Sequence, residues 1–255
     1  MPSTMLIFLQ LLGCDAFEKA FSSLDGITTT NVAQGAVLGI DPPSDDRLAP
    51  FLEGTDFAPG MSITVFVADA GSVTDIANAP IANALVTIDG NVSEVVPSQG
   101  GGLYAADPTS SDLQYEPSAD WMVEVNISGD LGSAAILLPT DAVYEVPAEH
   151  PTNTGLGIDL TGQGFASSMI VVLDADGNLT FSNVPADIQA LYDGMQQEEA
   201  GLVQIPGTAF PSAGLYAVGV AAMTHVEPDD LVDLNTLLSG IRSGKMRMNP
   251  VLVGP

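Results

Sequence analysis

Apolar and polar residues alternate with a period of two along most of the chain, and turn-forming residues interrupt the alternation. In the first half this pattern predicts strands over 62–67, 84–88, 121–127 and 134–138, because side chains two residues apart share one face of a strand. Asp89-Gly90-Asn91 is a typical turn sequence between two such strands. Short strands separated by turns at this spacing predict a β-sandwich.

The second half keeps the same period but contains two stretches of helical spacing. Strands are predicted over 168–173, 179–181, 215–220 and 245–253. A helix is predicted over 187–199, and Leu231, Leu234 and Leu238 mark a second, shorter one. We therefore expect a mostly β fold, in which two tandem antiparallel β-sandwich domains follow one another and the second includes a few short helices.

A proline-containing stretch separates the two halves. Residues 144–154 include Pro147 and Pro151, and proline cannot donate a hydrogen bond to a neighbouring strand. This stretch is predicted to be a linker. The first β-sandwich domain is then expected over 28–143 and the second β-rich domain over 155–255.

Part of the first half resembles a known family. The segment from Pro80 to Ile88 is followed by Gly102-Leu103-Tyr104 and then by a strand that ends near Ile127. This order is similar to that of carboxypeptidase regulatory-like or transthyretin-like domains over about residues 60–140. Residues 113–117 only approximate the family's usual Leu-x-x-Gly-x-Tyr motif. The resemblance implies a small antiparallel, immunoglobulin-like sandwich of a type common in exported bacterial proteins.

The N-terminal residues indicate export. A short apolar run ends in Leu11-Leu12-Gly13-Cys14 and is too short to span a bilayer. This tetrapeptide resembles the lipobox of bacterial lipoproteins, which implies that residues 1–13 are a signal peptide and that Cys14 becomes the acylated N-terminus. Residues 14–27 would then form a lipid-anchored tether or a short helix. Residues 1–4 lack the basic residues of a signal peptide, and the alternative interpretation is a buried free cysteine.

The charge balance limits the classes of partner. The chain has 32 acidic residues and 5 basic ones, which gives a formal net charge of −27. Such a surface repels the phosphates of nucleic acids and the headgroups of anionic lipids. We therefore expect no nucleic-acid partner, and a covalent lipid rather than a basic patch at the membrane. Two explanations of the acidity remain open, solubility in salty surroundings and binding of calcium or another cation.

One short stretch has the composition of a cation site. Asp174, Asp176 and Asn178 place oxygen-bearing side chains at alternate positions, as at the start of a calcium-binding loop. The EF-hand pattern needs glycine at the sixth position and glutamate at the twelfth, whereas here Gly177 is fourth and Pro185 is twelfth. A hairpin turn between two apolar strands accounts for the same residues. We therefore expect no cofactor, with calcium at Asp174, Asp176 and Asn178 as the alternative.

The sequence contains no recognisable catalytic motif. Its two histidines, His150 and His225, accompany no Gly-x-Ser-x-Gly elbow. Two carboxylates could serve a glycosidase, but the sequence does not select a pair. We therefore expect a non-catalytic envelope lipoprotein that acts as a binding or structural module for a protein or glycan partner. The alternatives are a calcium-dependent adhesion or carbohydrate-binding protein and, less favoured, a carboxylate-based hydrolase.

Overall fold

A computed structural model describes residues 30–52, 57–70, 79–108, 110–184, 200–226, 228–235 and 239–255. The predicted signal peptide, Cys14, the tether over 14–27 and the predicted helix over 187–199 lie outside the described residues. Among the helices in the described ranges, none is both long and apolar enough to cross a membrane.

The described chain is mostly β, as the alternating pattern predicts. Strands before the proline-containing stretch are β1 Asn31–Ile40, β2 Gly60–Asp69, β3 Leu85–Asp89, β4 Ser93–Val96, β5 Ser98–Gly100, β6 Leu103–Ala106, β7 Asp120–Ile127 and β8 Asp130–Leu137. The later strands are β9 Glu149–Pro151, β10 Leu156–Asp159, β11 Ser167–Leu173, β12 Leu179–Ser182, β13 Leu202–Ile205, β14 Gly214–His225, β15 Leu231–Val232 and β16 Gly240–Gly254.

Helical structure in the described residues is short. It comprises one α-helical turn, α1 Ala49–Leu52, and the 3₁₀ segments Asp46–Leu48, Gly207–Ala209 and Pro228–Asp230. The predicted helix that begins at Leu231 is wrong at its start. Leu231 lies in β15, where it pairs with Ala134 and is 8% exposed. Burial of this side chain between the two sheets outweighs the weak helical spacing of the sequence.

Nine strands form one large sheet with the order β12-β11-β14-β16-β1-β2-β6-β5, and β9 also pairs with β16. The 15-residue β16 is central: it runs antiparallel to β14 but parallel to β1 and to β9. The prediction of purely antiparallel sandwiches is therefore wrong at these two pairings. Both are reached through long connections, which parallel strands require.

The strands of both predicted domains share this sheet. β1, β2, β5 and β6 precede residues 144–154, β9 lies within them, and β11, β12, β14 and β16 follow them. Within 144–154, Tyr144 and Val146 pack against a hydrophobic core, and the Nε2 atom of buried His150 lies 2.8 Å from the carbonyl oxygen of Thr154. The predicted boundary thus does not coincide with a break in the sheet, and the division into two domains stays a prediction.

A five-stranded sheet with the order β15-β8-β7-β3-β4 covers part of one face of the large sheet. The core between them includes Trp121, Val123 and Ile136 from the smaller sheet and Val65 and Tyr104 from the larger one. Each of these side chains is at most 3% exposed. Trp121, the first residue of the strand predicted over 121–127, is thus part of the core.

The remaining core clusters lie further along the large sheet. β10 and β13 pair with each other and contribute Ile158 and Ile205 to a second cluster that includes Val251. A third cluster includes Met246 and Met248. Since side chains alternate along β16, the second cluster shares a face of the large sheet with the first. The third cluster lies on the opposite face and includes Leu48, Leu52 and Phe57.

Candidate binding surface

The five-stranded sheet turns one face to the core and the other to solvent, and the second is the candidate surface. Because successive side chains alternate between the faces, the burial pattern identifies the members of each. The solvent-facing set, called the outer face below, consists of Leu85, Thr87, Asp89, Ser93, Val95, Asp120, Met122, Glu124, Asn126, Leu131, Ser133, Ala135, Leu137 and Val232.

The outer face is rich in aliphatic side chains. Leu85, Val95, Leu131, Leu137 and Val232 are 51%, 56%, 48%, 57% and 54% exposed. These are five of the nine strongly exposed large hydrophobic side chains among the described residues. A sheet that only covers a core presents polar side chains to water. Concentration of exposed aliphatic groups on one face is typical of a contact surface.

The aliphatic groups flank a polar centre. Cross-strand pairing aligns Leu85, Asn126 and Leu131 in one row across β3, β7 and β8. In the next row the hydroxyl of Thr87 donates to Oε2 of Glu124 over 3.4 Å. The outer face therefore offers apolar contact area together with a carboxylate near its middle.

A cleft of about 350 Å³ opens at one end of the outer face. Three carboxylates line it, those of Asp89, Asp120 and Asp230. Its apolar lining comes from Trp121, Met122, Ala135, Ile136 and Leu137. Gly90 completes the lining, and its backbone lies so close to the Trp121 ring that an added Cβ would be 2.2 Å from Cδ2. The cleft thus combines an apolar surface with negative charge.

The basic side chains of the described residues lie outside the outer face and its cleft. Arg47 pairs with its neighbour Asp45, and Arg242 is only 7% exposed. The Nζ atom of Lys245 lies 3.1 Å from Asp41 and 2.8 Å from Asp141. The fourth described cation, Arg247, stacks 4.8 Å above the Tyr144 ring centre, and Lys19 lies outside the described residues.

These contacts shift several pKa values. The Arg47 guanidinium holds the pKa of Asp45 at about 2. Burial, and then the charges of Asp141 and Asp41, raise the pKa of Tyr115 above its usual value, while its hydroxyl donates to the Pro139 carbonyl over 2.8 Å. None of these groups belongs to the outer face.

His225 does not have the properties of a general base at neutral pH. It pairs with Arg242 across β14 and β16. Burial, followed by the Arg242 charge, lowers the pKa of His225 to about 4, and burial lowers that of Arg242 to about 10. A general base works best with a pKa near the working pH.

The predicted calcium ligands form the turn between β11 and β12. Oδ1 of Asp174 accepts hydrogen bonds from the backbone N–H groups of Asp176 and Asn178, over 3.0 and 2.9 Å. The side-chain amide of Asn178 also donates to Asp174. The structure brings these residues together as a closed hairpin turn. In the described ranges, no three candidate ligands converge to hold a metal ion, and calcium binding at this turn stays a prediction.

Sequence reasoning missed the outer face, although a signal for it is present. Four of its five exposed aliphatic residues adjoin a buried aliphatic one, in Leu85-Val86, Val95-Val96, Ile136-Leu137 and Leu231-Val232. A strand with one solvated face alternates strictly, so adjacent aliphatic residues indicate that both faces carry apolar side chains.

Comparisons with known proteins give no family. No protein family matches the chain, and no curated protein sequence does. Among solved structures, the 47-kDa lipoprotein Tp47 of Treponema pallidum is similar at 10% identity and a TM-score of 0.33, covering 72% of this chain and 46% of that one. This chain therefore spans less than half of that lipoprotein.

Two immunoglobulin-domain structures show weaker similarity. A three-domain structure of titin I67–I69 has 7% identity and a TM-score of 0.23, covering 88% of this chain and 66% of that one. The first two immunoglobulin domains of DIP-gamma have 8% identity and a TM-score of 0.23, covering 88% and 98%. Similarities at this level carry no argument about function, which rests on the surface described above.

Proposed function

We propose that the protein is an exported, lipid-anchored envelope module that binds a macromolecular partner through its outer face and performs no catalysis. The aliphatic character of the outer face is the observation that carries the proposal. Five large aliphatic side chains on one solvated sheet face have no role in the fold's own cores, since each points away from them. Covering such side chains on binding is favourable by roughly 25 cal/mol per Å² of apolar area.

The charge distribution supports the proposed form of attachment. The net charge of −27 would be repelled by anionic lipid headgroups. Arg47 is the most exposed cation for which the structure gives an ion pair, and its own Asp45 neutralises it. Attachment through acylated Cys14 avoids the need for a basic surface, because the lipid supplies the membrane affinity.

The anchor is tested by Cys14→Ser. We expect the variant to move from the membrane fraction to the soluble fraction, and mass spectrometry of the parent protein to find an acylated Cys14 as the first residue. Gly13→Ala is the matched control, because a small residue before the cysteine fits the lipobox pattern, and should stay anchored. An intact N-terminus with unmodified Cys14 in the native host would refute the anchor.

Binding is tested with the released Cys14→Ser protein on isolated envelopes. We expect saturable binding that falls at least tenfold when Leu85→Ser and Leu131→Ser are combined. The control combines Leu202→Ser and Leu252→Ser, since these leucines are 56% and 48% exposed but lie on other strands. Equal binding by both double variants would refute the assignment of the outer face.

A further inference from the structure

We infer that the outer face docks a protein segment that presents basic side chains among aliphatic ones. This inference rests on the proposed function and specifies the chemistry of the partner. It is drawn from two properties that coincide on one surface, exposed aliphatic rows and negative charge without a compensating cation among the residues that form the outer face or line its cleft.

The aliphatic rows favour a partner that lies flat against the sheet. Leu85 and Leu131 lie at the two ends of one cross-strand row, with Asn126 between them. Val95 and Val232 lie at the ends of the next row, on the two edge strands. Apolar contact therefore extends over the whole width of the sheet. A protein segment with regularly spaced aliphatic side chains can match this width, whereas a small ion cannot.

The charges favour a basic partner. Glu124 lies near the middle of the outer face, and Asp89, Asp120 and Asp230 line the cleft at its end. Lysine and arginine lay their aliphatic stems along apolar surfaces while their cationic ends stay near polar groups. The cleft offers both parts of such a contact, with Met122 as one of its apolar residues. Opposite charges across an interface also speed association and exclude like-charged competitors.

The same charges disfavour a second copy of this chain as the occupant. Two copies would bring together surfaces that each belong to a protein of net charge −27. In a face-to-face pair, the carboxylates of both copies would share a zone of reduced solvent exposure, which raises their mutual repulsion. A basic partner gains from the same carboxylates.

The inference is tested with three synthetic peptides of about ten residues, which is the length of a long strand. One alternates leucine and lysine, one alternates leucine and glutamate, and one alternates serine and lysine. Binding to the Cys14→Ser protein is followed by the fluorescence of Trp121, the only tryptophan, which lines the cleft. We expect saturable binding of the leucine–lysine peptide, at least tenfold tighter than either of the others.

Matched variants locate the binding. The combination of Leu85→Ser and Leu131→Ser should weaken the leucine–lysine peptide at least tenfold, because two buried leucine contacts are worth more than the 1.4 kcal/mol of a tenfold change. Asp120→Asn should weaken it and reduce its salt dependence. Asp176→Asn, which removes an exposed carboxylate from the distant hairpin turn, should do neither.

Several outcomes would overturn the inference. Equal affinity for the serine–lysine peptide would mean unspecific charge attraction, and equal affinity for the leucine–glutamate peptide would mean that charge plays no part. Sedimentation that shows self-association lost with the Leu85/Leu131 double variant would make a second copy the occupant. If no peptide binds but envelope binding still depends on Leu85 and Leu131, the basic partner is wrong and the proposed binding function stands. If neither occurs, both fail.

Discussion

Replacing Gly90 with alanine tests the packing that supports the cleft end of the outer face. Gly90 follows β3 and has no positive φ angle, so its backbone accepts alanine without strain. Space is the obstacle, because the new Cβ would be 2.2–2.4 Å from three fused-ring atoms of Trp121. Trp121 is only 3% exposed, and a rigid ring in a close-packed core cannot move without displacing its neighbours.

The expected cost follows from two opposing effects. Overpacking of a well-packed site destabilises by roughly 1–3 kcal/mol. Alanine also restricts the unfolded chain relative to glycine, which stabilises by about 0.4–1 kcal/mol. The net expectation for Gly90→Ala is a loss of about 1–2 kcal/mol in the free energy of unfolding. Gly201→Ala is the matched control, because its added Cβ would meet no atom within 4 Å and only the stabilising effect remains.

The assay is urea unfolding of both variants beside the parent protein, followed by circular dichroism and by Trp121 fluorescence. The two variants should differ by about 2 kcal/mol, which corresponds to a shift of roughly 1 M in the urea midpoint at an m-value of about 2 kcal/mol/M. Native Gly90→Ala should also show an altered emission maximum. Equal midpoints for both variants, with unchanged emission, would refute the close contact between Gly90 and the Trp121 ring.

Three further predictions concern charges and the hairpin turn. Lys245→Met should lower stability by roughly 1–2 kcal/mol in the same urea assay, because it leaves two aspartates without their cation. Arg47→Met, at an exposed pair, should leave the urea midpoint unchanged. The pKa of His225 is lowered from 6.5 to about 4 in the folded protein. As the pH falls from about 6.5 to 4, His225 therefore becomes protonated in the unfolded chain but not in the folded one, and stability decreases. His225→Gln should reduce this fall by roughly 1 kcal/mol, and an unchanged pH profile would contradict it. Asp174→Ala should cost about 1 kcal/mol through its lost turn hydrogen bonds; a calcium-dependent rise in Tm that this variant abolishes would instead favour the calcium alternative.

Local periodicity predicts the strands well, because each strand has one face in a core. The alternation over 62–67 falls within β2, that over 121–127 coincides almost fully with β7, and that over 245–253 lies within β16. Trp121, Val123 and Val125 are the alternate apolar positions of the strand predicted over 121–127, and all three are buried. Such patterns report which positions avoid water, and they do so residue by residue.

Strand partners are a different kind of information. β1 pairs with β16, and Gln34 opposite Gly240 is separated from it by most of the chain. Nothing in the alternation of either strand specifies the other, because both carry similar apolar patterns. Two tandem sandwiches and one shared sheet are therefore equally compatible with the sequence. The outer face was missed for a related reason, since the prediction of a strand over 84–88 does not say what covers either of its two faces.

The polar contacts around β16 explain why residues 144–154 resemble a linker in sequence but lie against the fold. Along one face of β16, Ile241 belongs to the first core and Val251 to the second. Lys245 and Arg247 lie between these two residues on the same face. If only apolar side chains packed against them, the two charges would be buried without a partner, which is unfavourable. The segment that enters the 144–154 region supplies Asp141 and Tyr144 to these cations, so it must be polar and yet fixed in place. Lys245 and Arg247 are thus engaged at β16, away from the carboxylates of the outer face on which the proposed basic partner rests.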